Sequence, residues 1–441
     1  MLRLALPVAA VQLGLMGMGV VDTIMVGHVS PVALAAAALG NLYFFIAGIF
    51  GQGTLMALDP VISQSVGARD DEAISRALQR GLVLSLALTV VTCATFLPVT
   101  WVLTLLGQPA EVIPDAATYV RVAIPGVFPF YAFIVFRQSL QAMSRVAPVL
   151  WTVLVANVLN AGLNWVFIYG HLGSPALGVG GSSLATSISR WVMALLLLAI
   201  SGRELYQRLM PWRPETAAIG PLIRMLRLGL PIGLQYLLEY GAFAAGALLL
   251  GVLGTTSLAA HQIAINLASF TFMVPLGVST ATAVLVGQAI GAGDEARARR
   301  SAIAGMFIGT AFMCVSALAF RIFPTALARA YTGDATVIAL AATLIPIAGV
   351  FQVFDGLQAV AAGVLRGIGD THAPAIINVV GFWLIGLPVS WVLTFRYGGG
   401  AVGFWWGIVV GLAAVALILL ARVRVRLGRE MRRVIIDEAV S

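Results

Sequence analysis

Twelve apolar stretches alternate along the chain with short polar connections, at 4–28, 33–65, 75–106, 113–143, 147–170, 178–201, 221–250, 256–290, 298–330, 336–365, 374–397 and 401–423. A helix needs about 20 apolar residues to cross a bilayer. Only helices and closed barrels can cross, because lipid offers the backbone no hydrogen-bond partner. These runs are too long for barrel strands of about ten residues. The pattern therefore predicts an all-α integral membrane protein with twelve transmembrane helices. Runs longer than the minimum are read as tilted, or as standing above the membrane at one end.

Composition agrees. Of 441 residues, 60% are hydrophobic and 10% charged, where soluble domains carry about 25% charged. This excludes a cytosolic enzyme, a nucleic-acid binder, a disordered chain and a disulfide scaffold. The net charge of +8 comes from 26 basic residues, all of them arginine. Twenty of these fall at the N-terminus, the C-terminus or in the even-numbered loops, including Arg203, Arg208 and Arg213 and six from Arg422 to Arg433. Positive charge marks the cytoplasmic face, so both termini are expected there, beside anionic headgroups. The N-terminal apolar run is read as a retained first span rather than a cleaved leader, because it is long and carries Asp22. Cys93 and Cys314 lie inside spans and are expected to be small buried hydrophobes.

The chain repeats itself. Leu2-Arg3-Leu4-Ala5-Leu6-Pro7 recurs 224 residues later as Leu226-Arg227-Leu228-Gly229-Leu230-Pro231. At the same offset Gln64-Ser65-Val66-Gly67-Ala68 matches Gln288-Ala289-Ile290-Gly291-Ala292, and Asp70 falls on Asp294. Two six-helix bundles in tandem follow, with residues 1–201 as the N-terminal lobe and 202–220 as a cytoplasmic linker. Residues 221–441 form the C-terminal lobe with its basic tail. Six is even, so the halves enter the membrane in parallel, related by a pseudo-two-fold axis along the membrane normal.

Three acids lie inside spans: Asp22, Glu239 and Asp355. A charge at the bilayer centre costs at least about 2.5–3.5 kcal/mol, so function is the default reading. None of the three recurs in the other half, whereas a shared folding requirement would tend to be duplicated. Structural pairing with Arg137 and Arg190 is the competing explanation, but two arginines cannot neutralise three acids one for one. Around Glu239, residues Gln235, Tyr236 and Phe243 share a helix face; Phe351, Gln352 and Gln358 do so around Asp355. A carboxylate beside aromatic rings suits an organic cation, and a carboxylate beside amide oxygens suits sodium or a proton. Each ring taken singly is as well explained by packing. Asn157, Asn160 and Asn164 share one face of the fifth span. Asparagine there serves either as interhelical glue or as a carbonyl ligand to a hard cation, and with Asp22 would form an oxygen-rich cage. Asp59 near the end of the second span is expected to face water. No metal-binding histidine spacing and no phosphate-binding loop occur, so the chain itself does not use ATP.

Val21-Asp22-Thr23-Ile24-Met25-Val26-Gly27, the two Gln-to-Gly-Ala stretches and Leu365-Arg366-Gly367-Ile368-Gly369-Asp370-Thr371 are similar to signatures of the MATE (multidrug and toxic compound extrusion) exporters. The resemblance covers essentially the whole chain, and the acids at Glu239 and Asp355 resemble the NorM-like branch. It implies a V-shaped pair of lobes in a bacterial inner membrane, exporting cationic amphipathic drugs against inward sodium or proton flow. It implies a coupling-cation site, with Na+ as one candidate ion, at Glu239 and Asp355, and a second at Asp22, Asn160 and Asn164. For cargo it implies Gln262, Phe243 and the loop residue Asp334; Tyr236 and Phe351 join them as aromatic neighbours of the acids. A tyrosine of some members is Phe351 here, which removes one oxygen ligand and leaves sodium against proton open.

The expectation is a secondary active multidrug antiporter rather than an enzyme. It would need no cofactor beyond the coupling ion, contact no nucleic acid and act as a monomer. One alternative is a lipid-linked oligosaccharide flippase, whose anionic cargo calls for a basic cavity. Another is a channel or receptor without coupled transport. The excess of deep acids argues against the first, and the repeat against the second.

Overall fold

The computed structural model describes residues 1–437. Twelve helices in it are long and apolar enough to cross a membrane: α1 Leu2–Gly27, α2 Pro31–Gly67, α3 Asp71–Phe96, α4 Ile113–Ala142, α5 Ala147–Tyr169, α6 Gly178–Ile200, α7 Ile219–Val252, α8 Thr255–Gly291, α9 Glu295–Ile322, α10 Ala335–Ile368, α11 His372–Arg396 and α12 Gly400–Leu427. Strands are absent among the described residues. The expected all-helical, twelve-span architecture is the one observed.

Local chemistry fixes the helix ends. Ser30 caps α2 by accepting from the Ala33 amide, and Pro31 supplies the first helical residue, where its missing donor is not needed. Asp70 caps α3 and Asp294 caps α9, accepting from the Ala73 and Arg297 amides respectively. The preceding residues are left-handed in both copies: Gly293 at φ +72° and its counterpart Arg69 at φ +56°. The turn is inherited by both halves, although only one places glycine where a Cβ is unfavourable.

Two expected spans are shorter than the hydrophobic pattern suggested. The run 75–106 is divided into α3 and a separate helix Val99–Leu105. The run 298–330 is divided into α9 and Pro324–Arg329. Each break falls at a proline, Pro98 and Pro324, which cannot donate to the preceding turn and clashes with it. Hydropathy continues through these residues, so pattern alone does not register the break.

The chain divides into two compact units. One, the first unit, comprises Ala10–Gly233 with the described residues from Ile435; the second comprises Met1–Ala9 with Leu234–Val434. In the second unit, α8 and α10 approach closely. A Cβ at Gly367 would stand 2.6 Å from the Ala283 carbonyl oxygen, and Ser279 Oγ donates to the Ala359 carbonyl at 2.6 Å. Small residues admit this backbone approach, as at other helix contacts in membranes. Helix α11 carries two π-helical stretches, Val380–Gly386 and Val392–Arg396. Gly403, Gly407 and Gly411 of α12 form a small-residue face against it, a Cβ at Gly403 standing 2.6 Å from the Leu393 carbonyl oxygen.

Two details depart from expectation. Cys93 is half-buried and Cys314 exposed, because an apolar solvent outside the helices removes the need to bury a thiol. Asp59 is wholly buried rather than facing water. The helix of the second span breaks at Met56–Ala57 and resumes at Leu58, which carries Asp59 into the first unit's interior.

Candidate functional site

In the second unit, α7 carries Glu239 and α10 carries Asp355. Glu239 Oε1 accepts a hydrogen bond from Gln358 Nε2 at 3.1 Å, and Gln235, one turn earlier on α7, also faces the carboxyl. Asp355 is 7% exposed and lies within electrostatic reach of Glu239. Among the described residues, no hydrogen bond or ion pair to Asp355 is found, and no arginine pairs with Glu239. Gln358 donates its amide nitrogen to Glu239, and its Oε1 is buried without a partner among the described residues. Two carboxyls and an open amide oxygen form a donor set suited to a hard monovalent cation or to a proton.

Aromatic rings stand beside this pair. Phe351, 1% exposed, meets Phe243 edge-on at 6.0 Å and Trp405 at 5.7 Å. Phe243 also meets Phe382 at 5.7 Å. Helix α11 is pinned to α7 next to the site, Trp383 Nε1 donating to the Leu238 carbonyl at 3.0 Å. Gln352, expected near Asp355, accepts from Thr271 Oγ1 at 2.7 Å. Tyr236 is half-buried on the Glu239 helix.

Sequence reasoning gave little weight to His261 and none to Trp405. Both are buried, their rings lie 5.6 Å apart, and among the described residues His261 Nδ1 and Trp405 Nε1 have no hydrogen-bond partner. A buried polar atom left unpaired costs about 1–3 kcal/mol, so these atoms, like Gln358 Oε1, mark this interior as polar beyond what folding needs. The available signal was a lone histidine within an apolar span.

The remaining cargo candidates lie elsewhere. Gln262 is exposed on α8. Asp334 is exposed and caps α10: its carboxylate accepts from the Thr336 and Val337 amides and from the Thr336 hydroxyl. These bonds hold its pKa below the usual carboxylate range, the Thr336 side chain contributing most.

The first unit brings Asp22, Asn160 and Asn164 together. Asn164 Nδ2 donates to Asp22 Oδ1 at 2.5 Å and to Asn160 Oδ1 at 3.2 Å. Both asparagines are fully buried, and Asn164 Oδ1 has no hydrogen-bond partner among the described residues. The sequence reading missed Thr186 of α6, whose hydroxyl donates to Asp22 Oδ2 at 2.8 Å. A threonine in a span is too common to stand out. Asn157 does not join the cage: its Nδ2 bonds the Gly14 carbonyl at 3.0 Å and the Val153 carbonyl at 2.8 Å, which ties α5 to α1. Of the two deep arginines, Arg137 donates to Gln12 Oε1 at 3.3 Å. Arg190 stands over the Phe44 ring, 3.8 Å from its centroid. Both belong to the first unit, as does Asp22, and neither shares a unit with Glu239 and Asp355.

The MatE family model matches residues 7–166 and 231–392, once in each half. A probable multidrug resistance protein NorM of Rhizobium meliloti is 38% identical over all of this chain and 95% of its own length. Its counterpart in Mesorhizobium japonicum is 39% identical over 96% of this chain and 92% of its own. The multidrug resistance protein NorM of Burkholderia vietnamiensis is 36% identical over 95% and 91%. Among solved structures, a eukaryotic MATE transporter superposes with a TM-score of 0.88 at 21% identity, over 96% of this chain and 94% of that one. An outward-facing multidrug resistance MATE family transporter gives 0.87 at 22% identity, over 97% and 95%. At those identities the superpositions speak for the fold alone.

Proposed function

This chain belongs to the MatE family of NorM-type multidrug efflux transporters, and on that premise we propose that it is a secondary active antiporter exporting cationic amphipathic compounds in exchange for Na+ or H+. The observation that carries the proposal is the pair Glu239 and Asp355: two intramembrane acids without an arginine partner among the described residues, set between amide and aromatic side chains. An anionic cargo such as a pyrophosphate-linked lipid would need positive charge there.

In this reading the incoming cation and the outgoing drug compete for the two carboxyls. Binding of the cation neutralises them and withdraws the charge that held the drug, while Phe243 and Phe351 supply ring faces to its aromatic part. Asp22, Asn160, Asn164 and Thr186 form a second polar set for the same class of ligand. Tyr236 on the Glu239 helix, and the exposed Gln262 and Asp334 away from the acid pair, are assigned to cargo contact. The arginine distribution supports an orientation with both termini in the cytoplasm of a bacterial cell, in its inner membrane, and nothing in the mechanism requires more than a monomer. One charge moving through 100 mV is worth about 2.3 kcal/mol, which the entering cation supplies and a leaving monovalent cationic drug spends, so a one-for-one exchange is driven by the concentration gradient of the coupling ion.

The test is ethidium accumulation in cells expressing the protein, with the sodium and proton gradients collapsed separately by ionophores. Expression should lower accumulation, and loss of the coupling gradient should restore it. Efflux that survives collapse of both gradients would contradict the proposal.

A further inference from the structure

Trp383 of α11 touches the Glu239 helix on both sides of the acid. Its Nε1 donates at 3.0 Å to the carbonyl of Leu238, the residue before Glu239. Its ring lies against Gly241, where a Cβ would stand 3.3 Å from Cζ2. Helix α10 thus holds the Glu239 side chain, through Gln358, and α11 holds the backbone that carries it. Such an anchor matters on α7. Pro231 lies inside that helix, eight residues before Glu239, and an internal proline removes a backbone bond and lets a helix bend. Bending there would carry Glu239 with it.

Trp383 is firmly mounted. It projects from the first π-helical stretch of α11, Val380–Gly386, a geometry that recurs at functional sites. The same stretch packs closely on α12, a Cβ at Gly411 standing 2.7 Å from the Gly381 carbonyl oxygen. On its outer side the indole lines an apolar, membrane-facing groove with Leu248, Leu387 and Trp391, so hydrocarbon rather than water surrounds the bond to Leu238. The first unit carries a matching tie made by another residue. Gly14 falls on Leu238 at the repeat offset of 224, and Asn157 on Trp383 at 226, the offset that also pairs Trp165 with Trp391. There Asn157 Nδ2 donates to the Gly14 carbonyl at 3.0 Å. The tie belongs to both halves, but its place relative to the acid does not: Gly14 lies eight residues before Asp22, and Leu238 immediately before Glu239.

We propose that Trp383 is a positioning residue for the Glu239 cation site. By fixing α7 at Leu238 and Gly241 it holds the Glu239 carboxyl where it can share a cation with Gln358 Oε1 and Asp355. This rests on the reading that Glu239 binds cations. The test measures ethidium binding to purified full-length protein in lipid nanodiscs, at a fixed, mildly alkaline pH, with thermal melting of each variant. Trp383→Phe keeps a ring and removes the donor. Partners that orient a ligating group are worth about 10- to 100-fold in affinity, so binding should weaken about tenfold or more. Trp383→His places a ring N–H at the same distance along the side chain, uncharged at that pH, and should bind as the wild type does. In a Glu239→Gln background Trp383→Phe should cause no further loss. Asn157→Leu, which cuts the matching tie of the first unit, should lower the melting temperature yet show no coupling to Glu239→Gln. Unchanged affinity in folded Trp383→Phe, an equal loss in the Glu239→Gln background, or equal coupling from Asn157→Leu would each overturn the proposal. If Trp383→Phe does not fold, Trp383→His decides, and weak binding by that folded variant overturns it too. Failure of the wild type to bind ethidium would instead overturn the underlying reading of the acids.

Discussion

Asp355→Asn separates a coupling role from a structural one. Asp355 is 7% exposed, and no hydrogen bond or ion pair to it is found among the described residues. Asparagine has the same shape, so the exchange opens no cavity and breaks no bond. It also removes one of two neighbouring negative charges, and a charge near the bilayer centre costs at least about 2.5–3.5 kcal/mol. The variant should therefore melt at the same temperature as the wild type or higher, and insert in equal amount. Its transport should fail. Exchange of one Na+ or H+ for one ethidium cation moves no net charge, so the coupling ion's own concentration gradient sets the ethidium ratio, each tenfold of it being worth about 1.4 kcal/mol. Without the carboxyl this ratio cannot be sustained. The paired assay is ethidium efflux from cells with matched protein abundance, and thermal melting of the purified protein. Wild-type efflux in Asp355→Asn would refute the coupling assignment. A lower melting temperature would refute the claim that the fold gains nothing from this charge.

Three further outcomes test the packing and the polar set. Thr186→Val removes a 2.8 Å hydrogen bond to a carboxylate, worth about 1.5–3 kcal/mol; melting should fall measurably, and Thr186→Ser should restore it. Gly367→Val places side-chain atoms against the Ala283 backbone, where even a Cβ would stand 2.6 Å from the carbonyl oxygen; the overpacking costs about 1–3 kcal/mol or more, seen as a loss of monodisperse protein after solubilisation. Asp437, outside the spans, is raised in pKa by burial, but the Arg80 and Arg76 guanidiniums outweigh this and hold it below the usual value. A depressed carboxylate stabilises above its unfolded pKa of about 3.9 and loses that contribution as pH falls through the folded value. The protection of residues 435–437 from hydrogen exchange, taken relative to the intrinsic rate at each pH, should therefore fall on acidification in the wild type, and be low already at neutral pH in Asp437→Asn.

The twelve spans were legible because a bilayer imposes one simple demand, a long apolar run with internally satisfied backbone, and hydropathy reports it directly. The repeat was legible for the same reason, since Pro7 and Pro231, or Asp70 and Asp294, serve identical local roles in each copy. The two breaks at Pro98 and Pro324 were written in the sequence as well, although the apolar pattern ran over them. The acids stood out because charge in hydrocarbon is expensive wherever it lies. Asn157 and Asn160, three residues apart, could not be told apart: one binds the α1 backbone and the other joins the Asp22 set, and only the partner helix decides.

Sequence by itself determined the class of solvent, the number of helices, the doubling of the half and the identity of the costly groups, all of which follow from free energies of transfer that act residue by residue. Tertiary structure alone decided the company each group keeps: Gln358 on Glu239, Thr186 on Asp22, Arg190 over Phe44, His261 beside Trp405. Those pairings join helices far apart in the chain, and they depend on which faces meet when the helices pack, a property of the assembled bundle that no single stretch of sequence carries.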